Sequence, residues 1–590
     1  MKGPPLPTPA HGTLVEALTA AARTASGITF LDLRERERFV AFREIRGRAR
    51  RAAATLRRMG VAPGDRVALV LPTSPAFLDG FFGVLLCGAV PVPLYPPFRL
   101  GRLPEYHAAT ARMLDAVGAC LVLADAGSRS LLGQAVERSR PRLGCLTLDG
   151  AGPGRGGELE DGTDPDALAL IQFSSGSTAD PRPIALSHHN VLSQLAAIRS
   201  QLPREEGVAQ RGVSWLPLYH DMGLIGCLLL AVYYPGPLTL IPPEHFLVRP
   251  ALWLRAISRH RATLSVSPGF GYSICTKRVR DEELEGIDLS SWRLAVCGAE
   301  PISSATLEAF ARRFEPLGFD ASALRPVYGL AEASLAVTFA PPGRPPRTVA
   351  VDPARLAATG EAVDGSRALV SVGTPVPGTE VEVRDEGGRA VPERIVGRIF
   401  TRGPSVMASY FGQPEATGRA IREGWLDTGD LGFVADGELV VCGREKDLII
   451  IRGANHAAHE FEECLDGLPG VRAGCAVALG FTPDREDGEQ LLVLAERPRT
   501  GHRGDGDSET ADLVRNAILQ RTGIRPHTVV MLEPGALPRT SSGKLRRGEA
   551  LRLYLAGTLA PPRSAGPARL SVELARSALA FARARLGRGR

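Results

Sequence analysis

The sequence predicts an α/β protein in two parts: a large N-terminal region with parallel-rich sheets and a small C-terminal α+β region. Three observations lead there. At 590 residues the chain exceeds what a single hydrophobic core sustains. Its first half alternates helical and strand signals, the pattern of parallel strands joined by crossover helices. A charged turn, GREKD at 443–447, then precedes about a hundred residues with helix and strand signals of their own.

Taken in order, residues 43–59 are arginine-rich and amphipathic, which predicts a helix. Asp65 and Arg66 lead into VALVLP, an apolar run that predicts a strand buried on both faces. Residues 74–90 have helical length. The following VPVPLYPP carries prolines that permit only loop or edge structure. Residues 119–124, 143–148 and 168–171 are further strand candidates. The longest uncharged run, 222–243, is broken by Pro235, Pro237, Pro242 and Pro243. It predicts a buried helix followed by a buried strand rather than a membrane span.

Beyond the charged turn, 458–468 predicts a helix, 471–479 a strand, and GHRGDGD at 501–507 an exposed loop. The tail opens with PPRSAGP, then places Leu570, Leu574, Ala578 and Phe581 at helical spacing. It reads either as a short basic amphipathic helix or as a disordered end. The resulting division is 1–442, a hinge at 443–447, a small domain at 448–557 and a basic tail at 558–590.

Charge is concentrated rather than spread. The formal net charge is +6, and the tail alone supplies seven arginines against one acid, Glu573. The body is therefore near neutral, which speaks against a nucleic-acid enzyme. Nine scattered cysteines without a C-x-x-C pair predict free thiols in a reducing compartment. The first ten residues lack an apolar signal core. Together these predict a cytoplasmic protein with no integral membrane segment. Lysine occurs only at Lys2, Lys277, Lys446 and Lys544, so a lysine in a loop stands out in an arginine-dominated chain.

The strand at 168–171 runs into QFSSGSTADPRP. Ser174, Ser175, Gly176, Ser177 and Thr178 form a small-residue loop whose N–H groups and hydroxyls suit a triphosphate. Alone, such a turn is an ordinary loop. Further on lie YGLAE at 328–332, DTGD at 427–430, GREKD at 443–447 and PRTSSGK at 538–544. In that order the five motifs resemble the acyl-adenylate-forming superfamily of acyl-CoA synthetases, luciferases and peptide-synthetase adenylation domains.

The resemblance implies a large multi-subdomain AMP-binding domain, a small mobile C-terminal domain, and ATP with Mg²⁺. It also assigns roles. Tyr328 and Gly329 would face adenine, as would Gly298, Ala299 and Glu300 after the strand WRLAVC. Asp430 would accept hydrogen bonds from the ribose hydroxyls, with Arg444 beside it. Glu332 and Thr178 would serve the metal. Lys544 is the expected catalytic residue, because attack of a carboxylate on the α-phosphate brings two anions together and an ammonium relieves that charge in the transition state. Lys446 occupies the hinge.

WLPLYHDMGLIG at 215–226, SWRLAVCGAEP at 291–301 and IRGANHAAHEFEE at 451–463 narrow the likeness to fatty acyl-AMP ligases. That branch implies a fatty acid substrate and a phosphopantetheine-bearing acyl carrier protein acting in trans. His220 would close the carboxylate site, and Met222, Ser267, Gly269 and Phe270 would shape the acyl channel. Residues 342–371 match the branch's insertion, which in relatives restrains domain movement and disfavours coenzyme A. His456 and His459 beside Glu460 lack a well-placed third ligand, so no zinc is expected. One departure stands out: the usual P-K-G ending of the phosphate loop is Pro181-Arg182-Pro183 here.

Overall fold

The computed structural model describes residues 1–97, 100–148, 164–174, 181–203, 209–483, 488–498, 506–540, 543–562 and 567–586. The VALVLP run forms strand Arg66–Val70 inside a four-stranded, wholly parallel sheet ordered Val90–Pro93, Arg66–Val70, Leu121–Ala124, Gly144–Leu146. The proline-rich Val90–Pro93 takes the edge position, where its missing N–H groups leave no gap in the ladder. The predicted helix after VALVLP runs Pro75–Leu86, starting on a proline and stopping before Gly88, whose φ of 73° cannot continue a helix.

A fifteen-stranded sheet forms the centre. Its middle is parallel: Leu324–Gly329, Leu294–Cys297, Leu264–Ser267, Gly212–Ser214, Leu238–Leu240 and Gly27–Leu31 lie side by side. Antiparallel strands extend it at both ends, among them Arg367–Pro375, Trp425–Ala435 and Glu438–Arg444. Helices Ala251–His260, Gly269–Arg278 and Ser304–Phe314 link successive parallel strands. They bury an aromatic cluster in which Trp253, Tyr272, Trp292 and Phe310 meet edge to face.

The uncharged run at 222–243 is a buried helix and then strand Leu238–Leu240, as its length and prolines predict. Within the helix, Leu224–Leu229 is a π-helical stretch that no periodicity announced. No helix among the described residues is long and apolar enough to cross a membrane.

The C-terminal region is α+β. Hairpin Leu448–Ile451 and Ala454–Ala457 precedes helix Ala458–Glu463, shorter than the 458–468 expected. A three-stranded sheet follows, with Ala476–Phe481 antiparallel and Thr528–Leu532 parallel to Gln490–Glu496. Helices Asp507–Thr522 and Arg547–Leu555 complete it. Among the contacts of the described residues that join it to the rest are the following. Arg102 donates to the carbonyls of Gly535 and Ala536 at 3.3 and 3.1 Å. Within 342–371, strand Thr348–Val351 pairs with Arg367–Pro375 and helix Pro353–Thr359 packs near the hairpin. Arg367 there reaches Glu460 at 2.5 Å and His459 at 3.3 Å.

The tail is a helix, Pro567–Leu586, but the expected face is wrong. Glu573, Ser577, Ala580 and Ala584 are buried, while Leu574 and Leu579 are exposed. The reason is the surface it meets. Helix Gly133–Ser139 approaches so closely that a Cβ on Gly133 would stand 2.1 Å from the Ser577 carbonyl oxygen. Only small side chains fit such an approach. The Gly133 N–H donates to Ser577 Oγ at 2.8 Å, Gln134 donates to Glu573 at 3.2 Å, and Arg129 lies 5.3 Å over the Phe581 ring.

Candidate active site

The segments that follow parallel strands Gly212–Ser214, Leu294–Cys297 and Leu324–Gly329 bring His220, Ala299 and Glu332 to one space. A cavity of about 440 Å³ opens there, walled by the large region and by Lys446 and Lys544. Open α/β sheets place ligands at the carboxyl ends of their strands because the loops diverge there.

Its polar lining is built from three loops. Tyr328 closes strand Leu324–Gly329 and donates its hydroxyl to Asp430 Oδ2 at 2.7 Å. Arg444 donates Nε to Asp430 Oδ1 at 2.9 Å, since Asp430 and Arg444 are cross-strand partners. Asp430 is held behind the wall, which at this point consists of Asp427, Thr428 and Gly429. A carboxylate has about four acceptor positions, so two remain for hydroxyl donors. Gly329 is required by close approach: a Cβ would stand 1.9 Å from the Leu335 carbonyl.

Glu332 faces the cavity. Its Oε1 accepts the Tyr410 hydroxyl at 2.9 Å, and its carboxyl is raised above the ordinary range by burial, against the pull of that hydroxyl and Arg444. Its own backbone N–H also favours the charged form. A buried carboxylate of this kind gains most from a cation brought to it.

Lys544 lines the cavity, and the Thr540 N–H donates to its carbonyl at 2.7 Å. Burial lowers its ammonium below the usual lysine range, while Asp221 and Glu300 hold it up. His220 also lines the cavity, and its Nδ1 lies 2.6 Å from Asp221 Oδ1. Burial alone would raise Asp221, but His220 and Lys544 outweigh it and hold its carboxyl low. Lys446 lies on the wall too, its ammonium lowered by burial and by Arg444.

Of the phosphate-loop residues, Ser174 lines the cavity; Ser175, Gly176, Ser177 and Thr178 lie outside the described residues. The altered ending has a local account. Pro183 is the first residue of strand Pro183–Ser187, where a proline is tolerated, and its carbonyl still accepts the Phe411 N–H at 2.7 Å. Arg182 stacks 5.1 Å over the Tyr410 ring and faces the cavity.

Other expectations need correction. Among Gly298, Ala299 and Glu300 only Ala299, at φ 70°, is on the wall. Gly298 is wedged against Val327, and Glu300 turns back to accept the Phe270 N–H at 2.7 Å. In the expected acyl channel only Met222 is on the wall. Strand alternation explains Ser267: Leu264 and Val266 face the cavity, so Ser267 points the other way. Phe270 packs edge-on against Trp215 at 5.6 Å, and Gly269 opens the same helix beside Glu300. Asp221 and Tyr410 were missed as site residues, and Arg182 was singled out only as the altered ending of the phosphate loop. Asp221 had a signal, its place beside His220, but Tyr410 had none.

The cavity lining also includes a set of apolar residues. Met222, Gly226, Leu230, Val266, Leu294 and Phe339 are on its wall. The lining thus combines charged and polar groups with an apolar set.

Comparison with known proteins agrees with that combination. Residues 18–411 match the family described as AMP-binding enzyme. A putative acyl-CoA synthetase of Caulobacter vibrioides is 37% identical over 558 residues, covering 92% of this chain and 96% of the relative. The medium-chain-fatty-acid–[acyl-carrier-protein] ligase JamA of Moorena producens is 32% identical, over 93% and 96%. A structure from work on fatty acyl-adenylate ligases of E. coli and L. pneumophila superposes with a TM-score of 0.86 at 34% identity, covering 94% of this chain and 99% of that one.

Proposed function

This chain belongs to the AMP-binding enzyme family, and from that premise we propose that it is a fatty acyl-AMP ligase that passes its acyl group to a carrier protein. One observation carries the reading: Lys544 lines the same cavity as His220, Glu332 and Arg444.

In the first step a fatty carboxylate oxygen attacks the α-phosphorus of ATP. The new P–O bond forms as the bond to pyrophosphate breaks, giving acyl-AMP. Asp430, held by Tyr328 and Arg444, accepts the ribose hydroxyls, and Tyr328, Gly329 and Ala299 flank adenine. Lys544 offsets the charge that gathers on carboxylate and phosphate as they approach, an interaction stronger in the transition state than before it. His220, oriented by Asp221, closes the carboxylate site. Arg182 takes the place of the family's loop lysine near the leaving pyrophosphate. Glu332 would hold Mg²⁺ together with nucleotide phosphates and Thr178; the ion would neutralise phosphate charge.

In the second step the small domain, 448–557, rotates about the hinge at 443–447. The thiol of a phosphopantetheine arm then attacks the acyl carbon and AMP departs. Arg367 and Glu460, which tie the 342–371 insertion to the small domain, support an acceptor that arrives on a protein in trans rather than as free coenzyme A. The nine free cysteines suit a cytoplasmic setting.

The test is to supply the purified enzyme with ATP, Mg²⁺, decanoate and either coenzyme A or a phosphopantetheinylated carrier protein. Acyl-carrier without acyl-coenzyme A is the expected result. Efficient acyl-coenzyme A formation would make the enzyme an acyl-CoA synthetase, and absence of any acyl-AMP would end the adenylation reading.

A further inference from the structure

Lys544 stands on a narrow hairpin. The Arg546 N–H donates to the Pro538 carbonyl at 2.9 Å, and the Gly543 N–H donates to the Thr540 carbonyl at 3.1 Å. Arg539 and Leu545 face each other as an antiparallel bridge pair between the two arms. A lone hairpin is marginal in water, so this one needs support from outside itself. Its base has apolar support, because Leu537 is buried and Leu545 packs against the same cluster. Apolar packing is non-directional, however, and leaves the orientation of the Lys544 arm to polar contacts.

Arg539 makes such contacts. Its Nη1 donates to the Gly543 carbonyl at 2.8 Å, across the hairpin and next to Lys544. Its Nη2 donates to the Gly474 carbonyl at 2.7 Å and lies 3.0 Å from Cys475 Sγ. Cys475 leads directly into strand Ala476–Phe481 of the three-stranded C-terminal sheet. One guanidinium thus ties the lysine arm to the root of a buried strand. A rigid planar fork of donors suits this task, whereas a lysine ammonium is a point charge on a flexible stem. Glu300 of the large region is acted on by the charges of both Lys544 and Arg539, so the two cations lie near the same carboxylate.

We propose that Arg539 is a positioning residue for adenylation, holding the Lys544 hairpin to the Gly474–Cys475 segment so that the ammonium is in place before substrates bind. The inference rests on the acyl-adenylate reading and deepens it. An ammonium ordered in advance needs no reorganisation at the moment of reaction, while a loose one must be ordered in every turnover. Gly474 and Cys475 lie within 448–557, so Arg539 makes the hairpin move as one body with the small domain. It serves the step that uses Lys544, not the transfer that follows the domain's rotation.

The experiment measures the two half-reactions of the full-length enzyme separately. Adenylation is followed as single-turnover formation of decanoyl-AMP from decanoate, ATP and Mg²⁺. Transfer is followed from supplied decanoyl-AMP to a phosphopantetheinylated carrier protein. Arg539→Ala is expected to slow adenylation by roughly 10–100-fold, less than loss of Lys544 itself, because the ammonium remains but is no longer placed. The KM for ATP should stay within about twofold of wild type, with transfer unchanged. Arg539→Lys keeps the charge without the fork. It should recover part of the rate, and it reports independently should Arg539→Ala fold poorly. Arg539→Ala combined with Lys544→Ala should be no slower than Lys544→Ala alone, since a residue acting through the lysine then has nothing to act on. A wild-type adenylation rate in Arg539→Ala overturns the proposal. So does an equal loss in both half-reactions, the mark of a small domain loosened as a whole, or a double variant slowed by the product of the two single effects. Absence of acyl-AMP from wild type with every acid from butyrate to stearate would instead overturn the adenylation reading itself.

Discussion

Tyr328 donates its hydroxyl to Asp430 at 2.7 Å, joining two motifs that lie 102 residues apart. With Arg444 on the other oxygen, the carboxylate is oriented before any nucleotide arrives. Tyr328→Phe removes one of two anchors and leaves the ring. The expected result is a rise in the KM for ATP of roughly tenfold, as for a lost hydrogen bond to a charged group, with kcat nearly unchanged. Steady-state pyrophosphate release checks it.

Lys544→Ala removes the ammonium that meets both anions. Adenylation should fall by about 10²–10³ while affinity for ATP changes little, because the interaction matters most in the transition state. Single-turnover formation of acyl-AMP separates the two. An unaltered rate would remove Lys544 from the chemistry.

Asp221 holds His220 by its Nδ1 at 2.6 Å and is itself nearly buried. Asp221→Asn keeps the shape but removes the charge that fixes the ring's orientation and faces Lys544. A loss of roughly tenfold in kcat/KM for the fatty acid is expected. It should be accompanied by a displaced pH profile, and a profile identical to wild type would reduce Asp221 to packing.

Glu463 has a carboxyl pushed up from 4.5 to about 7 by burial, with Asp466 and Glu460 adding to the rise against Arg367. The folded state therefore holds this proton more tightly than the unfolded one. Stability is greatest below the unfolded value of 4.5 and declines as pH rises towards about 7, where the penalty is complete. Glu463→Gln should melt higher than wild type at pH above that window, by about 1–3 kcal/mol in stability. The difference should vanish on the acid side, as thermal melts across pH would register.

Ser577 accepts the buried Gly133 N–H at a contact with no room for a larger side chain. Ser577→Arg should detach the tail helix and lower stability by about 1–3 kcal/mol, the range for overfilling a close-packed contact. Calorimetry would show it. Adenylation kinetics at a temperature well below melting should not change.

Much of this molecule is legible locally. The apolar runs at 66–70 and 294–297 are strands because parallel strands are buried on both faces, and the glycines and prolines that end them mark the turns. The errors fall where a distant surface decides. Leu574 points outward because Gly133 demands Ser577 at the contact. Ser267 turns away because its neighbours Leu264 and Val266 take the cavity face.

By itself, the sequence determined the kind of chemistry, because YGLAE, DTGD, GREKD and the Lys544 loop each put specific donors, acceptors or charges on a short turn. Tertiary structure alone decided which groups meet: Glu332 with Tyr410, Asp221 with both His220 and Lys544, Arg539 with Gly474. Periodicity records which face of an element is apolar, whereas a shared cavity depends on how sheets and loops remote in the chain close upon one another.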